Sequence, residues 1–389
     1  MTEQTEQTEQ QTFPFKFTGN GSEYFKIWIV NLILTILTLG IYSAWAKVRN
    51  KRYFYGNTTL DNAAFEYHAT PMMILKGRLI AITALIIYAL LSEFFPIVGI
   101  AFAVILTVFI PWAVWRSIQF NARMVSYRNV RFSFYGILKD AYKILLLIPF
   151  LPVIIGAVIA SLVYFIWGEE GIGMLATILG ITMFVFYLMF PYVQKLLTSY
   201  YINNRQFGQG KFSAQLSAKK YYFIYLYLIL ATSLFIITLS IVVTVISIIT
   251  GGFGNIGTMD DSQIPGLIMG GIFLMYISFI IIGTWGTAYL EAKVKNYVFS
   301  SVQLDETLQF QSNIQVGKLF VIYITNILLI MFTLGLAYPW TVVRLKKYKI
   351  ESTSAVGNIT EYVNQQQENQ SALGEELGDA FDTELDLGI

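Results

Sequence analysis

Lysine and arginine are missing from three long stretches of the chain, residues 79–115, 144–194 and 221–292, which are filled instead with Ile, Leu, Val and Phe. Each is long enough for two membrane-crossing helices of about 20 residues, so the pattern predicts six full spans. A short non-basic turn breaks each stretch near its middle, at 93–96, 168–173 and 251–265. The only charges in these turns are Glu93, Glu169, Glu170, Asp260 and Asp261. The intervening segments are basic, with Arg116, Arg123, Arg128, Arg131, Lys139 and Lys143 in one and Lys195, Arg205, Lys211, Lys219 and Lys220 in the next. An excess of basic residues marks cytoplasmic loops, which puts these segments inside and the acidic turns outside.

Within the basic segments the period changes. Aromatic and polar residues alternate around Gly, Asn or Asp, the signal of a β-hairpin, at 52–68, 124–134, 200–212 and 298–310, with a weaker copy at 348–362. Phe15-Lys16-Phe17 reads as an unpaired second strand. Five units follow, each a helix pair ending in a cytoplasmic hairpin, at about 13–70, 71–135, 136–213, 214–311 and 312–362. Before them, Thr-Glu-Gln triplets fill a polar tail, 1–12. After them, 363–389 is acidic with no basic residue. Both compositions predict disorder.

The two outer units match one another. Asn31, Thr38-Leu39-Gly40, Trp45, Val48-Arg49 and Lys51 recur in register as Asn326, Thr333-Leu334-Gly335, Trp340, Val343-Arg344 and Lys346, the mark of a repeat architecture. Their apolar runs, 27–46 and 319–341, are long enough for one span only, yet both flanks are basic. A single crossing that starts inside near Lys318 would leave Arg344, Lys346, Lys347 and Lys349 outside, against the charge rule. A re-entrant helix pair turning at Gly40 and at Gly335 removes the conflict, since glycine tolerates the backbone of a tight turn. Two ordinary spans are the alternative. The fold class expected is therefore an all-α polytopic membrane protein: six full transmembrane helices plus two terminal re-entrant helix pairs (or eight spans), with repeated short cytoplasmic β-hairpins.

Composition agrees with the membrane reading. Hydrophobic residues make up 56%, charged residues 13%, and mean hydropathy is +0.59, whereas a soluble domain is about a quarter charged. Without cysteine there is no disulfide, thiolate nucleophile or Cys-ligated metal. The start MTEQTEQTEQQT lacks the basic n-region of a secretory signal. The single histidine, His68, has Glu66 two residues earlier on the same strand face and is expected to be structural. There is no His pair of the HExxH kind and no Walker sequence, and Gly19-Asn20-Gly21 reads as a strand-to-helix turn. No catalytic residue, metal ligand or cofactor is expected. A net charge of +2, with the basic residues already accounted for by topology, gives no reason to expect a nucleic-acid partner.

The runs FTGNGSEYFKIW (17–28), TLGIYSAWAKVR (38–49), RYFYGNT (52–58) and ILKGR (74–78) strongly resemble the YjgN family of bacterial inner-membrane proteins, and the resemblance covers Phe13 to about Tyr362. It implies a multi-pass protein of the bacterial inner membrane. The family supplies no established activity, and so no catalytic residues to carry over.

Ionisable residues kept inside spans usually mark coupled transport, but here Glu93 and Glu291 sit at helix ends where water reaches them. The polar residues left in the terminal units are uncharged: Asn31, Thr35, Thr38 and Gly40, with Thr325, Asn326, Thr333 and Gly335. A buried Asn needs a hydrogen bond, so these residues either bind helix to helix or line a path for a small polar or neutral solute; the path makes a channel or carrier the favoured reading. A second set suits the lipid interface, where Trp and Tyr sit at headgroup level with Lys or Arg beyond: Trp45, Arg49, Arg52, Trp112, Arg116, Tyr192, Lys195, Trp340 and Arg344. Here Pro111, Pro191 and Pro339 mark inner helix ends. Lipid-headgroup binding, and a scaffold that offers its hairpins to a cytoplasmic protein, are the alternatives. Membrane lipids are the expected partners, with a small solute, a homo-oligomer or a cytoplasmic protein as further possibilities.

Overall fold

The computed structural model describes residues 11–249, 264–305, 307–360 and 362–365. The acidic turn expected around Asp260 and Asp261, and the tails before residue 11 and after 365, lie outside the described residues. Five helical stretches are long and apolar enough to cross a membrane: Pro71–Phe94, Pro96–Arg123, Leu138–Asn203, Ala218–Val245 and Met269–Phe299. The third, of 66 residues, doubles back on itself. It contains α5 (Leu138–Tyr142), a π turn (Lys143–Leu147), α6 (Ile148–Trp167), a 3₁₀ turn (Gly168–Gly171) and α7 (Ile172–Asn203). Gly168 reverses the chain at φ 55°, a value that a side chain disfavours. Gly156 then lies so close to Thr182 that a Cβ there would overlap it. The π turn stands just before Pro149 and Pro152, where missing amides and ring clashes disturb the helical ladder.

The other long helices are α3 (Pro71–Phe94), α4 (Pro96–Arg123), α8 (Ala218–Ile249) and α9 (Ile264–Phe299). At about 1.5 Å per residue, α9 is some 54 Å long, well over the roughly 30 Å of hydrocarbon in a bilayer. The long helices therefore carry on past the lipid. Pro111 and Pro191 do not end α4 and α7, as the Pro-aromatic pairs suggested. Both lie buried inside helices that continue to Arg123 and Asn203. Pro339, in contrast, opens α11, where its missing N–H costs nothing.

Each outer unit is a short helical hairpin: α1 (Gly21–Leu37) with α2 (Ser43–Gly56), and α10 (Val316–Phe332) with α11 (Tyr338–Glu351). The Asn20 side chain caps α1 by accepting from the Glu23 amide at 2.8 Å, as N-cap residues do. Every helix packs on the next in the chain, and α11 returns to α1, with Trp340 5.0 Å from Phe25 and Tyr338 6.0 Å from Trp28. The helices thus form a closed ring.

The sheet corrects the all-α expectation. The strands are β1 (Thr12–Pro14), β2 (Lys16–Phe17), β3 (Thr58–Leu60), β4 (Ala63–Tyr67), β5 (Val125–Tyr127), β6 (Val130–Phe134), β7 (Arg205–Phe207), β8 (Gly210–Ala214), β9 (Val302–Leu304), β10 (Leu308–Ser312) and β11 (Thr353–Val356). They are not separate short hairpins but one antiparallel sheet of 11 strands, in the order β1-β11-β10-β9-β8-β7-β6-β5-β4-β3-β2. An isolated hairpin is marginal in water and leaves two unpaired edges; here each edge pairs with the neighbouring hairpin. The segment read as an unpaired strand closes the circle. Its Lys16 and Phe17 pair with β3, and β1, just before it, pairs with β11, while the Phe15 amide between them donates to the Thr353 carbonyl at 3.0 Å. β1 and β2 are thus one strand position of ten. An even number lets every pair in a nearly closed barrel be antiparallel.

This barrel is apolar inside. Phe65, Phe132, Phe212 and Phe310 pack with Leu60, Tyr127, Phe207 and Leu304 around its core, whereas Glu66, Arg131, Lys211, Gln309 and Gln311 face out and are exposed. A membrane-spanning barrel has the opposite polarity and strands of about 10 residues. The barrel therefore belongs in water, beside the membrane. Tight turns join its hairpins, with Asp61-Asn62 at φ 44° and 58° and Arg128-Asn129 at 48° and 64°, the left-handed pair that a two-residue hairpin loop requires.

Candidate functional site

Two cavities lie along the middle of the molecule. The upper is a chamber of about 780 Å³ between α2, α9 and α11 and the start of α3. On α2 it is faced by Ser43, Lys47, Asn50, Lys51 and Phe54, and on α11 by Tyr338, Val342, Lys346 and Ile350. These are residues at helical spacing, one face of each helix. Arg78 and Lys295 complete the wall. Among the described residues none of the five cations makes an ion pair within 4.0 Å. Their contacts are neutral. Lys51 Nζ donates to Asn121 Oδ1 at 2.6 Å, Lys295 Nζ donates to the Lys349 carbonyl at 2.9 Å, Lys346 lies 4.8 Å from the Phe54 ring, and Arg78 donates to Ser43 Oγ.

Lys47 and Lys51 are four residues apart on one helix face, where like charges repel. Burial, then Lys47 and Lys346, hold the Lys51 ammonium below the usual lysine range; burial, then Lys349, do the same to Lys346. Such a wall favours an anion, because an opposite charge relieves both the repulsion and the desolvation. Beside it, Glu291 stands four residues before Lys295 on α9, is engaged by Lys349 and accepts from the Tyr323 hydroxyl.

Below the chamber lies the barrel lumen, a largely apolar cavity of about 550 Å³ whose lining also includes Thr198 and Arg205, the latter with a buried, unpartnered Nε. The two share the walls Phe15, Tyr55, Phe65 and Phe299. Burial pushes the Tyr127 phenol up to about 12. Its hydroxyl therefore stays neutral and donates to the Leu60 carbonyl at 2.6 Å. A short helix, described at 359–360 and 362–365, inserts Ile359, Tyr362 and Val363 into the lumen. It is pinned to the hairpin turns. Tyr362 donates to Asp305 Oδ2 at 2.5 Å and Thr360 to Asp61 Oδ2 at 3.0 Å, and Arg128 pairs with Asp61 at 2.6 Å.

The polar residues singled out in the terminal units gather within their own hairpins. Asn31 Nδ2 donates to Asn50 Oδ1 at 3.1 Å, and Asn326 Nδ2 to the Thr341 carbonyl at 3.2 Å. Both are buried, with the amide oxygens of both unpartnered. Thr35 and Thr325 donate to carbonyls one turn back. Thr38 and Thr333 donate to Leu34 and Leu329 and accept from the Tyr42 and Ala337 amides, which holds the apices at Gly40 (φ 93°) and Gly335 (φ 92°). Of this set, Asn31 reaches the chamber wall at Asn50, and the Gly40 and Gly335 carbonyls accept from the amides of the wall residues Ser43 and Tyr338 at 3.1 Å.

The interfacial set is spread over several surfaces. Trp45 packs with the Ala44 and Val48 cluster, and Trp112 with Phe109 at 4.5 Å. Trp340 covers Gly21, where a Cβ would overlap it. Arg49 is exposed, Arg52 donates to the Ala69 carbonyl at 3.2 Å, Arg116 to Gln119 at 3.3 Å and Arg344 to Thr325 at 2.8 Å. Tyr192 is exposed and Lys195 half-buried on α7. His68 Nε2 lies 2.7 Å from Ser126 Oγ, but Ser126 is only 1% exposed and Glu66 approaches the same nitrogen at 3.6 Å. That arrangement offers no accessible nucleophile.

The chamber lysines are the residues that sequence reasoning missed. Lys51 and Lys346 do stand in the repeat, yet they were read with their neighbours as topology charges. Only the fold separates Arg49 and Arg344, which face away from the chamber, from Lys51 and Lys346, which line it.

A ring of apolar helices, several long enough to cross a bilayer, standing on a barrel that is polar outside defines a multi-pass membrane protein. The family described as "Bacterial protein of unknown function (DUF898)" matches residues 12–380, and the chain belongs to it. Its relatives include "Inner membrane protein YjgN" of Salmonella typhimurium, 27% identical over 370 residues that cover 88% of each chain. The protein of that name from Escherichia coli O157:H7 is 25% identical over 359 residues, 89% of each. That of Escherichia coli strain K12 is 34% identical over 143 residues, 36% of this chain. No solved structure matches. The resemblance read from the four sequence runs is thus a family membership, and this is a multi-pass inner-membrane protein of the YjgN family.

Proposed function

We propose that the protein handles lipids: its basic chamber receives the anionic head group of a lipid from the cytoplasmic leaflet. One observation carries this reading. Five cations that make no ion pair within 4.0 Å among the described residues line a chamber whose far end, at Ser43 and Tyr338, lies beside two apices tipped by Leu39 and Leu334, which are 96% and 94% exposed. A cationic wall next to fully bare leucines suits a molecule with a charged head and an apolar body. In this reading the protein takes the orientation that the basic segments favour, with the barrel on the cytoplasmic side and the apices toward the inner leaflet. A solute path along Asn31 and Asn326 has less support, because both amides bond within their own helix pair.

The test compares lipids retained by the full chain in nanodiscs of phosphatidylcholine and phosphatidylglycerol. Mass spectrometry should find the anionic lipid enriched. Since a basic residue near a lipid surface contributes about 1 kcal/mol, Lys51→Gln with Lys346→Gln should cut the enrichment by roughly tenfold or more. Equal retention of the two lipids by the native protein, or unchanged enrichment in a folded double variant, would refute the reading.

A further inference from the structure

The barrel lumen has no counterpart in a simple head-group site. Its strands present a nearly continuous aromatic lining, with Phe15 6.1 Å from Phe65, Phe132 6.3 Å from Phe212 and Phe212 6.0 Å from Phe310. Even so, about 550 Å³ remains open. Barrels of eight strands are already wide enough to hold one small ligand, and ten strand positions make a wider one. A well-packed core leaves few voids larger than a water molecule, so a cavity of this size kept by aromatic walls is a binding volume. It falls within the roughly 300–1,000 Å³ typical of small-molecule sites.

The lumen adjoins the chamber of cations. Phe15, Tyr55, Phe65 and Phe299 belong to both cavities, so a ligand head among Lys47, Lys51, Lys295 and Lys346 has an apolar shaft directly beneath it. At the end away from the chamber, Ile359, Tyr362 and Val363 pack into the lumen. The order of surfaces is cation wall, a shaft of aromatic rings with Arg205 4.9 Å from Phe132 among them, and apolar floor.

We infer that the barrel lumen is the tail site of a single-chain anionic amphiphile, whose head group occupies the chamber. This rests on the chamber reading above and narrows it: one shaft seats one alkyl chain, so a two-chain phospholipid held by its head group would leave at least one chain outside the barrel. The head is a compact terminal anion, either the carboxylate of a fatty acid or the phosphate monoester of a singly acylated or alkylated phosphate.

The experiment photolabels the full chain in phosphatidylcholine nanodiscs with dodecanoic acid carrying a diazirine at its tail end, and in parallel with the matching dodecyl phosphate. Peptide mapping should place the label on lumen residues such as Phe212, Phe310 or Val363. Excess unlabelled dodecanoate should suppress it and acetate should not, while the head preferred is the one whose probe labels at the lower concentration. Affinity across saturated acids should tighten about fourfold per added methylene and level off once the shaft is full. Lys51→Gln with Lys346→Gln should weaken lumen labelling roughly tenfold. Label confined to the long apolar helices, with anionic-lipid enrichment still lost in the double variant, would overturn the lumen site and leave the chamber reading standing. Lumen labelling undiminished in the double variant would overturn the chamber reading and this inference with it.

Discussion

Leu39 and Leu334 sit at φ 49°, a left-handed conformation that costs a side-chain-bearing residue on the order of 1 kcal/mol. Glycine or asparagine would fit more easily, so the leucines suit the exposed apolar surface they give the apices. The chamber lysines show a similar tension between fold and surface. With Lys51 lowered by burial, Lys47 and Lys346, and Lys346 lowered by burial and Lys349, the folded protein binds fewer protons than the unfolded chain at alkaline pH. Free protein should therefore gain stability as pH rises through the window between the lowered values and the ordinary lysine value of about 10.4. An anionic ligand raises those pKa values again, so ligand affinity should run the other way and weaken over the same window. Titrating dodecanoate, already ionised at these pH values, between pH 7 and 10 should show this decline, with proton uptake detectable in buffers of different ionisation enthalpy. A flat affinity across that range would mean that the lysines do not face the head group. At this scale the sequence was legible wherever chemistry is local: Thr38-Leu39-Gly40 and its copy could be read as an apex because turn geometry depends on adjacent residues. The role of Lys51 was not, since only packing decides which side of α2 meets a cavity.

At the scale of elements, the strands were legible from their period and the plug was not. Phe65, Phe132, Phe212 and Phe310 each follow a turn and alternate with polar residues, a pattern that reads as a half-buried strand in any context. Ile359, Tyr362 and Val363 belong to a short helix beside an acidic tail, and their burial depends on a barrel built by distant residues. Its seat is tight. A Cβ at Gly210 would overlap the Tyr362 hydroxyl and crowd Asp305 Oδ2. Gly210→Ala should therefore push Tyr362 off its acceptor, at the roughly 1–3 kcal/mol of an overpacked site, while β8 keeps its pairing with β7 and β9. Limited proteolysis should then cut the C-terminal segment after Tyr362 several-fold faster than in the native protein. Unchanged cleavage, in a variant with native far-ultraviolet dichroism, would show that the plug is not held through this contact.

For the molecule as a whole, closure was the feature hidden from sequence. Each hairpin is a local event, but the pairings of β4 with β5, β6 with β7 and β8 with β9 cross a helix pair, and β1 with β11 joins residues at opposite ends of the described chain. Hydrophobic pattern gives the existence of a strand and not its distant partner, which is why separate hairpins were expected where a barrel exists. The same closure is repeated by the helices, since α11 returns to α1, and the two closures reinforce each other because Phe17 packs with Tyr24 of α1 and Val343 of α11. A barrel shut by a single short strand position is open to direct test in a chain with no cysteine of its own. Pro14 and Ser354 stand opposite one another in the β1 and β11 register, within the Cα separation that a disulfide tolerates in neighbouring strands. Cysteines at both positions should cross-link under mild oxidant in the membrane, giving a species of altered mobility that reverts on reduction. A control pair at Pro14 and Ser213, which lies in β8 well around the sheet from β1, should not. Failure of the first pair beside ready modification of each single cysteine would mean that the sheet stands open at this seam. The lumen would then lose one wall, and the aromatic shaft would become a groove.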